Sequence, residues 1–375
     1  MNLPRPQRQG RAGIALIMVM VIILVFAGLA GVLSSMMTVE TRLARNTSWD
    51  TELEWIGRSG IELAKYVLAQ PNQAGQPYDG LNQIWAGGTG ETNDALTGIS
   101  LIGNKLGHGT FSVKITDADR KFNINLAASP EPAYQGLIDQ GLILMGVDAS
   151  EAPHIRDAIA DWVDANDDPR LGSTDTESAH YLTLRPPYTA KNGPIDDLTE
   201  LMMIKGITPN MYFGSGGGAA GNNIQDQYAR SHARLTRRFN NRREPEEPTY
   251  PLGFVDLFTA ISGRQININT ANANVMQLIP DVDGGLAQAI ITTRAGPDGQ
   301  EGNEDDAPFR SVGDLANVPG MTPQYAQLFA RYFGTRSTTF EVEVTVQIDA
   351  VQRIYSAVLR RNGPNQVVLL YMYWR

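Results

Sequence analysis

From Ile14 to Leu33 the chain carries no charged residue, and its first acid is Glu40. Twenty such residues in a helix rise about 30 Å, the depth of a bilayer's hydrocarbon core. Past Glu40 the pattern changes without a break. Leu43, Trp49, Leu53, Ile56, Leu63 and Val67 recur every three or four positions, with Gly60 on the same stripe. The other face carries Arg42, Arg45, Asp50, Glu52, Glu54, Arg58, Glu62 and Lys65. That spacing predicts an amphipathic helix, and no proline interrupts it before Pro71. Residues 14 to about 69 therefore read as one rod, apolar all round in its first half and one-sided in its second.

The period becomes two near the far end. Phe340, Val342, Val344, Val346 and Ile348 alternate with Glu341, Glu343, Thr345 and Gln347, the signature of a half-buried strand. Asp349-Ala350 leads into a second β-rich run, Val351 to Arg360. Asn362-Gly363-Pro364-Asn365 then reads as a turn before a third strand, Val367 to Trp374. Phe111 to Ile115 alternates too and adds a strand. An antiparallel meander of this kind needs a cover on one face, and the one-sided half of the N-terminal helix supplies it.

Between these parts the chain repeats itself. Phe122-Asn-Ile-Asn-Leu126 recurs as Ile266-Asn-Ile-Asn-Thr270. Each copy is followed by a helical segment, Ala152 to Val163 or Leu286 to Arg294. Leu201-Met-Met-Ile-Lys-Gly-Ile-Thr-Pro209 then aligns without a gap on Leu315-Ala-Asn-Val-Pro-Gly-Met-Thr-Pro323. In both copies a helix is expected to stop at the glycine, with Thr208 or Thr322 capping a new helix that has proline in its first turn. The expected fold class is α+β: a long N-terminal helix on an antiparallel sheet, interrupted by a mostly α-helical insert over 125–334. The insert divides into modules at about 125–213 and 264–334, joined by a Gly- and Arg-rich linker.

Charge and composition narrow the chemistry. The chain has 375 residues, 42% of them hydrophobic, enough for two or three domains. Its net charge of −9 disfavours nucleic acid or anionic lipid as a main partner. With no cysteine, thiolate metal sites, thiol catalysis and disulfides are excluded together. His108, His154, His180 and His232 lack any metal-ligand spacing, no serine sits in a nucleophile-elbow setting, and no enzymatic activity is expected. The Val318-Pro-Gly-Met321 turn looks like a helix-hairpin-helix unit, which in other settings grips DNA phosphate through backbone amides. The plainer reading is a compact joint between two helices. Arg230, Arg234, Arg237, Arg238, Arg242 and Arg243 are followed at once by Glu244, Glu246 and Glu247, which suits a solvated linker. Gly214 to Gly221 lacks the Lys-Ser/Thr of a phosphate loop and reads as a flexible joint. Two acidic stretches offer hard oxygen ligands suited to calcium. One holds Asp298, Glu301, Glu304, Asp305 and Asp306; the weaker one holds Asp164, Asp167, Asp168, Asp175 and Glu177. A solvated acidic loop is the alternative for each.

The leader carries Arg5, Arg8 and Arg11 and no acid, so it is expected to stay cytoplasmic while everything beyond residue 37 crosses the membrane. Ordinary secretion, with Ala27, Gly28, Ala30 and Gly31 imitating a late cleavage site, and a plain N-terminal anchor are competing readings. A short basic leader ending in glycine before such a rod resembles the class III signal of type IV pilins and pseudopilins. The resemblance implies cleavage between Gly13 and Ile14 by a prepilin peptidase and N-methylation of Ile14. Most such subunits have Glu at the fifth position after the cut, where this chain has Met18. A lipid-buried carboxylate costs about 3 kcal/mol and needs a partner, so a subunit without one can dispense with a neighbour contact, as a terminal subunit could.

Over nearly its whole length the chain resembles the K-type minor pseudopilins of type II secretion. The resemblance rests on the leader, Met18, the Asn-Ile-Asn segments, Asp161-Trp-Val-Asp164 and the Val318-Pro-Gly-Met321 hairpin, in that order. It implies a pilin fold interrupted by a helical domain and calcium within that domain. It also implies an inner-membrane subunit with its body in the periplasm, at the tip of a short pseudopilus. The implied partners are the I- and J-type minor pseudopilins, then the H type, the major pseudopilin, the prepilin peptidase and the exported substrates. The resemblance implies domains at 1–13 (leader), 14–36 (membrane helix), 37–124 and 335–375 (pilin-like body), with the insert between them. Alternatives are a pilin-like DNA-binding competence protein and, further off, a membrane-anchored periplasmic enzyme.

Overall fold

The structure, a computed structural model, describes residues 12–70, 76–89, 96, 98–168, 178–215, 248–363 and 366–374, with only the backbone described at 12–15 and 42–48. The Gly- and Arg-rich linker, with His232, Asp175, Glu177 and the tip of the last hairpin, lies outside the described residues.

One helix, α1, runs unbroken from Ala12 to Ala69. Leu53, Ile56, Ile61, Ala64, Val67 and Leu68 are buried on its second half, Leu63 is half-buried, and Trp55 points outward. The buried arc is wider than the stripe predicted from sequence because the helix lies against four strands of the sheet at once. Two glycines allow the close approach. A Cβ at Gly57 would sit 2.4 Å from the Tyr355 ring, and one at Gly60 would sit 2.4 Å from Val344 Cγ1.

The sheet has five antiparallel strands: β1 (Asn104–Leu106), β2 (Gly109–Asp117), β7 (Thr339–Ile348), β8 (Val351–Gly363) and β9 (Gln366–Trp374). They lie side by side in that order. The three C-terminal strands and the strand around Phe111–Ile115 lie where alternation predicted them. The inward residues of β7 are those read from the period of two, Phe340 through Ile348, all buried. Asp349 takes the tight turn at φ 50°. Helix and sheet enclose one hydrophobic core, closed at its end by Trp85, whose ring meets Phe340 edge-on at 5.2 Å.

The insert leaves and rejoins the body at a single point. β2 pairs with β7 so that Asp117, the last residue before the insert, lies opposite Phe340. Residues 118–338 therefore hang from one strand pair, with a hydrophobic core of their own that runs from Phe122 to Phe333. That is somewhat wider than the 125–334 read from the repeat.

Within the insert the repeated motif closes each module with a short parallel strand pair. β3 (Phe122–Asn123) pairs with β4 (Phe258–Thr259), and β5 (Ile266–Asn267) pairs with β6 (Phe333–Gly334). The first module therefore continues beyond the linker: the turn of helix at Phe254–Leu257 and β4, which the sequence reading left outside either module, belong to it. Helices α2 (Pro132–Met145) and α3 (Ala152–Val163) fill the first module, and α4 (Gly284–Arg294) fills the second. The elements before the hairpin glycines are 3-10 helices, Leu198–Met203 and Val312–Asn317, that end before the glycine instead of at it. Gly206 and Gly320 take φ 85° and 86° as expected of a left-handed turn. Thr208 and Thr322 then cap Pro209–Phe213 and Pro323–Phe329 by accepting from Met211 and Tyr325 N–H.

Candidate functional site

The repeated asparagines explain why the modules look alike. Asn123 and Asn267 each accept from the N–H two residues on, at 3.0 Å, which bends the chain out of its strand. The second asparagine of each motif grips a distant backbone with both ends of its amide. Asn125 exchanges two hydrogen bonds with Ile195, at 2.7 and 3.0 Å. Asn269 does the same with Phe309, at 2.8 and 2.9 Å. Ile195 and Phe309 each stand just ahead of the 3-10 turn of their hairpin, so these amides dock the hairpins onto the opening strands.

The copies differ at the first asparagine's free end. Asn123 Nδ2 donates to Ser262 O inside the insert. Asn267 Nδ2 reaches into the body, donating to Asp117 Oδ2 and Asp79 O at 3.0 Å and to Ser337 Oγ at 2.7 Å. Around it lies a buried polar junction. Asp117 Oδ2 also accepts from Ser337 Oγ (2.6 Å) and Thr270 Oγ1 (2.5 Å). Asp79 is ion-paired with Arg361 of β8 and accepts from Ser337 N at 2.8 Å. Asp119 accepts from Gly263 N and Thr338 N, both at 2.6 Å. Burial, reinforced by the neighbouring Asp119 charge, pushes the Asp117 carboxyl up to about 7. Burial likewise raises Asp119, against the hydrogen bonds from Thr338 and Gly263. Nothing in the sequence reading pointed to this junction; its nearest signal was the repeat of Asn-Ile-Asn.

The N-terminal site residues fall in α1. Gly13 and Ile14 lie in its first turn. Met18 is exposed on a segment, Leu16–Thr41, that is long and apolar enough to cross a membrane and is not buried by any of the described residues. This helix fits a single-pass anchor.

The first acidic loop is ordered by its own hydrogen bonds. Asp298 accepts from Gln300 N and Asn303 Nδ2, Asp305 accepts from Asp298 N, and Asp306 accepts from Gly302 N. Glu301 is taken by the buried Arg294 of α4, at 2.5 Å, and Arg294 also donates to Ile268 O of the second Asn-Ile-Asn motif. Glu304 is exposed. Asp306 Oδ1 is buried without a hydrogen-bond partner, and burial raises that carboxyl's pKa. In the second stretch Asp167 accepts from Ser178 N and Asn192 Nδ2, Asp164 accepts from Asn166 Nδ2, and Asp168 is exposed. Among the described residues no three acids or histidines converge into a metal-holding group. The oxygen chemistry of the loop is of the kind a hard cation takes, and Asp306 Oδ1 is the buried oxygen in it, among the described residues, without a hydrogen-bond partner.

Comparison with known proteins follows this geometry closely. The family model for type II secretion system protein K, first part, matches residues 120–213, which open the insert. Type II secretion system protein K of Aeromonas hydrophila is 27% identical over 226 residues, 56% of this chain and 62% of that protein. The Pseudomonas aeruginosa protein of the same name is 26% identical over 206 residues, 53% of this chain and 58% of that one. The matched stretch thus spans about 60% of these relatives' length. A chain of the crystal structure of the GspK-GspI-GspJ complex from the enterotoxigenic Escherichia coli type 2 secretion system shares the fold. Its TM-score is 0.59 at 17% identity, over 88% of this chain and 99% of that chain. Nothing in these comparisons favours a DNA-binding or enzymatic relative. In the family model over residues 120–213 and in sequence over about half its length the chain is similar to type II secretion system protein K, and it shares the fold of a chain of the GspK-GspI-GspJ complex structure.

Proposed function

We propose that this chain is a minor pseudopilin of a type II secretion system that caps the periplasmic tip of the pseudopilus and helps initiate its assembly for export of folded proteins. The observation that carries the proposal is the insert, a body with its own core hung from one strand pair of a pilin-like domain. A subunit so widened fits the end of a filament and obstructs stacking within one. Its role is structural, and no catalytic step is assigned to it. The partners are the I- and J-type minor pseudopilins, then the H type and the major pseudopilin; the GspK-GspI-GspJ complex, whose fold this chain shares, supports the first two. Co-expression of the full chain with the I- and J-type subunits of the same system, followed by detergent extraction, should give a ternary complex. Recovery of each subunit alone would overturn the proposal.

Maturation follows from the same reading. Prepilin peptidase cuts between Gly13 and Ile14 in the inner membrane, Ile14 is N-methylated, and the periplasmic body remains tethered by α1. Mass spectrometry of the protein from cells with the peptidase should find methyl-Ile14 at the N-terminus, and an intact Met1 there would refute it. Met18 leaves this subunit without the carboxylate that other subunits direct at a neighbour, so Met18→Glu should not raise yield of the complex.

Calcium belongs to the proposal at the first acidic loop, with Asp298, Asp305 and Asp306 as the residues to hold it and Glu301 shared with Arg294. Bound there, the ion would offset the loop's like charges. Calcium in excess over chelator should raise the melting temperature, and Asp306→Asn should reduce that rise. An identical melt with and without calcium would remove the ion from the account.

A further inference from the structure

The sheet ends in an edge that none of the preceding roles uses. β9 lies last in the strand order, and among the described residues no strand pairs with its outer side. Natural sheets protect such edges with charge, proline, short length or a covering element. The opposite edge follows that rule: β1 is three residues long and includes Lys105. β9 is nine residues, Gln-Val-Val-Leu-Leu-Tyr-Met-Tyr-Trp, with no charge and no proline. Its pairing with β8 is irregular at Leu370 and again next to the turn, and beyond Leu370 the residues Tyr371–Trp374 pair regularly with Tyr355–Val358. Tyr371, Tyr373 and Trp374 are 42%, 51% and 63% exposed.

The surroundings of this edge are not neutral. Tyr371 and Tyr373 stack at 6.3 Å on the sheet face opposite α1, where a cleft of about 420 Å³ opens between sheet and insert. Near the tyrosines the cleft is lined by Glu341 and Glu343 of β7 and by Asp196 and Asp197 of the insert. Glu341 is exposed, and burial, followed by its charge and those of Asp197 and Asp196, pushes the Tyr371 hydroxyl up to about 12. The cleft also holds cations: Lys114 lies across from Glu343 in the register of β2 and β7, and Lys121, near enough to Glu341 to feel its charge, gives its ammonium to Val255 O. Arg120 lies just beyond β2, and Lys191 bridges Asp196 and Glu200. The strand's aromatic rings already take a guanidinium on their other face, where Arg353 lies 4.5 Å over Trp374.

We propose that β9 is a docking edge for an extended basic segment of a partner protein, which adds as a strand along Tyr371–Trp374 and lays lysine or arginine side chains over Tyr371 and Tyr373 toward Glu341 and Asp197. Main-chain pairing supplies an open row of donors and acceptors, and the alternation of a strand brings every second side chain to the cleft. Aromatic faces and carboxylates together recognise cations and reject acids. The edge is present whatever position the chain takes in a filament, so this inference does not rest on the tip assignment.

The test uses the detergent-solubilised full chain and two synthetic peptides, one alternating lysine with valine and one alternating glutamate with valine. The lysine peptide should bind, more weakly as salt rises, and should slow amide exchange at Tyr371–Trp374; the glutamate peptide should not bind. Glu341→Lys, an exposed change away from the edge itself, should weaken the lysine peptide about tenfold with the melt unchanged. Tyr373→Pro, which blocks the edge, should abolish the exchange protection while circular dichroism still reports the sheet. Protection elsewhere, equal binding of both peptides, or indifference to Glu341→Lys would overturn the proposal. So would a chain that self-associates through β9 and releases no partner copy to the lysine peptide, since the occupant would then be a second copy.

Discussion

The two modules of the insert begin with the same motif and end in different company. In the first, Asn123 turns its amide back into the module, onto Ser262. In the second, Asn267 occupies the equivalent place and points its amide into a cluster of carboxylates at the boundary with the pilin-like body. The neighbouring asparagines, Asn125 and Asn269, do the same work in both copies. A repeated unit has thus kept its internal latch and given one copy a second task, fastening the insert to the sheet. Both modules come close to the point where the insert leaves the body, but only in the second does the first asparagine's amide meet Asp117.

The sharpest way to break that fastening is at Arg361. Its guanidinium is 7% exposed and is the ion-pair partner of the fully buried Asp79. Arg361→Ala strands that carboxylate and should cost about 3–5 kcal/mol, read by denaturant unfolding of the full chain in detergent. Asparagine replacement compares the modules directly. Asn267→Ala removes a donor from Asp117 as well as a turn bond and should cost about 3 kcal/mol, whereas Asn123→Ala should cost about 1 kcal/mol. Equal losses would mean that the junction contributes no more than an ordinary turn.

Most of the body was legible because its elements obey one period each. β7 of the body alternates residue by residue from Phe340 to Ile348, and the same holds in the insert, where α3 falls at Ala152–Val163 on the residues its pattern marked. The insert's attachment was not legible, and the reason is physical. Asn267 and Asp117 are separated by 150 positions, and Asp79 and Arg361 by 282, distances over which no local pattern encodes a pairing. The 3-10 character of Leu198–Met203 and Val312–Asn317 was hidden similarly, since Asn125 and Asn269 position those turns from far away in sequence. The acidic loops show the opposite failure. Their composition suits a cation, yet Glu301 is committed to Arg294, a pairing that composition cannot reveal.

The junction also makes the comparison pH-dependent. The folded-state pKa of Asp117 is raised from 3.8 to about 7 by burial and by the Asp119 charge. Between those values the folded protein keeps a proton that the unfolded chain has released, so stability falls as pH rises through the window and is level above it. A gap of that size is worth at most about 4 kcal/mol across the window, with the hydroxyl donors of Ser337 and Thr270 already holding it below what burial alone would give. Asp117→Asn carries no such proton and should flatten the fall. Melts of both proteins across the window check this, and parallel curves would place the titration elsewhere.

The smallest effect tests whether the modules are equal where neither touches the body. Thr208 and Thr322 cap corresponding helices, accepting from Met211 N at 3.3 Å and Tyr325 N at 3.4 Å. Each hydroxyl satisfies one N–H that the first turn of a helix leaves open, so Thr208→Ala and Thr322→Ala should each cost about 1 kcal/mol. The first cap is half-buried and the second exposed, so water can replace the second more readily and any difference should favour the Thr322 variant. Similar small losses here, beside unequal losses at Asn123 and Asn267, would locate the asymmetry between the copies in the junction. A large loss at Thr322 alone would instead mean that the second module is the weaker fold throughout, and that Asn267 is sensitive for that reason and not because it holds the insert to the sheet.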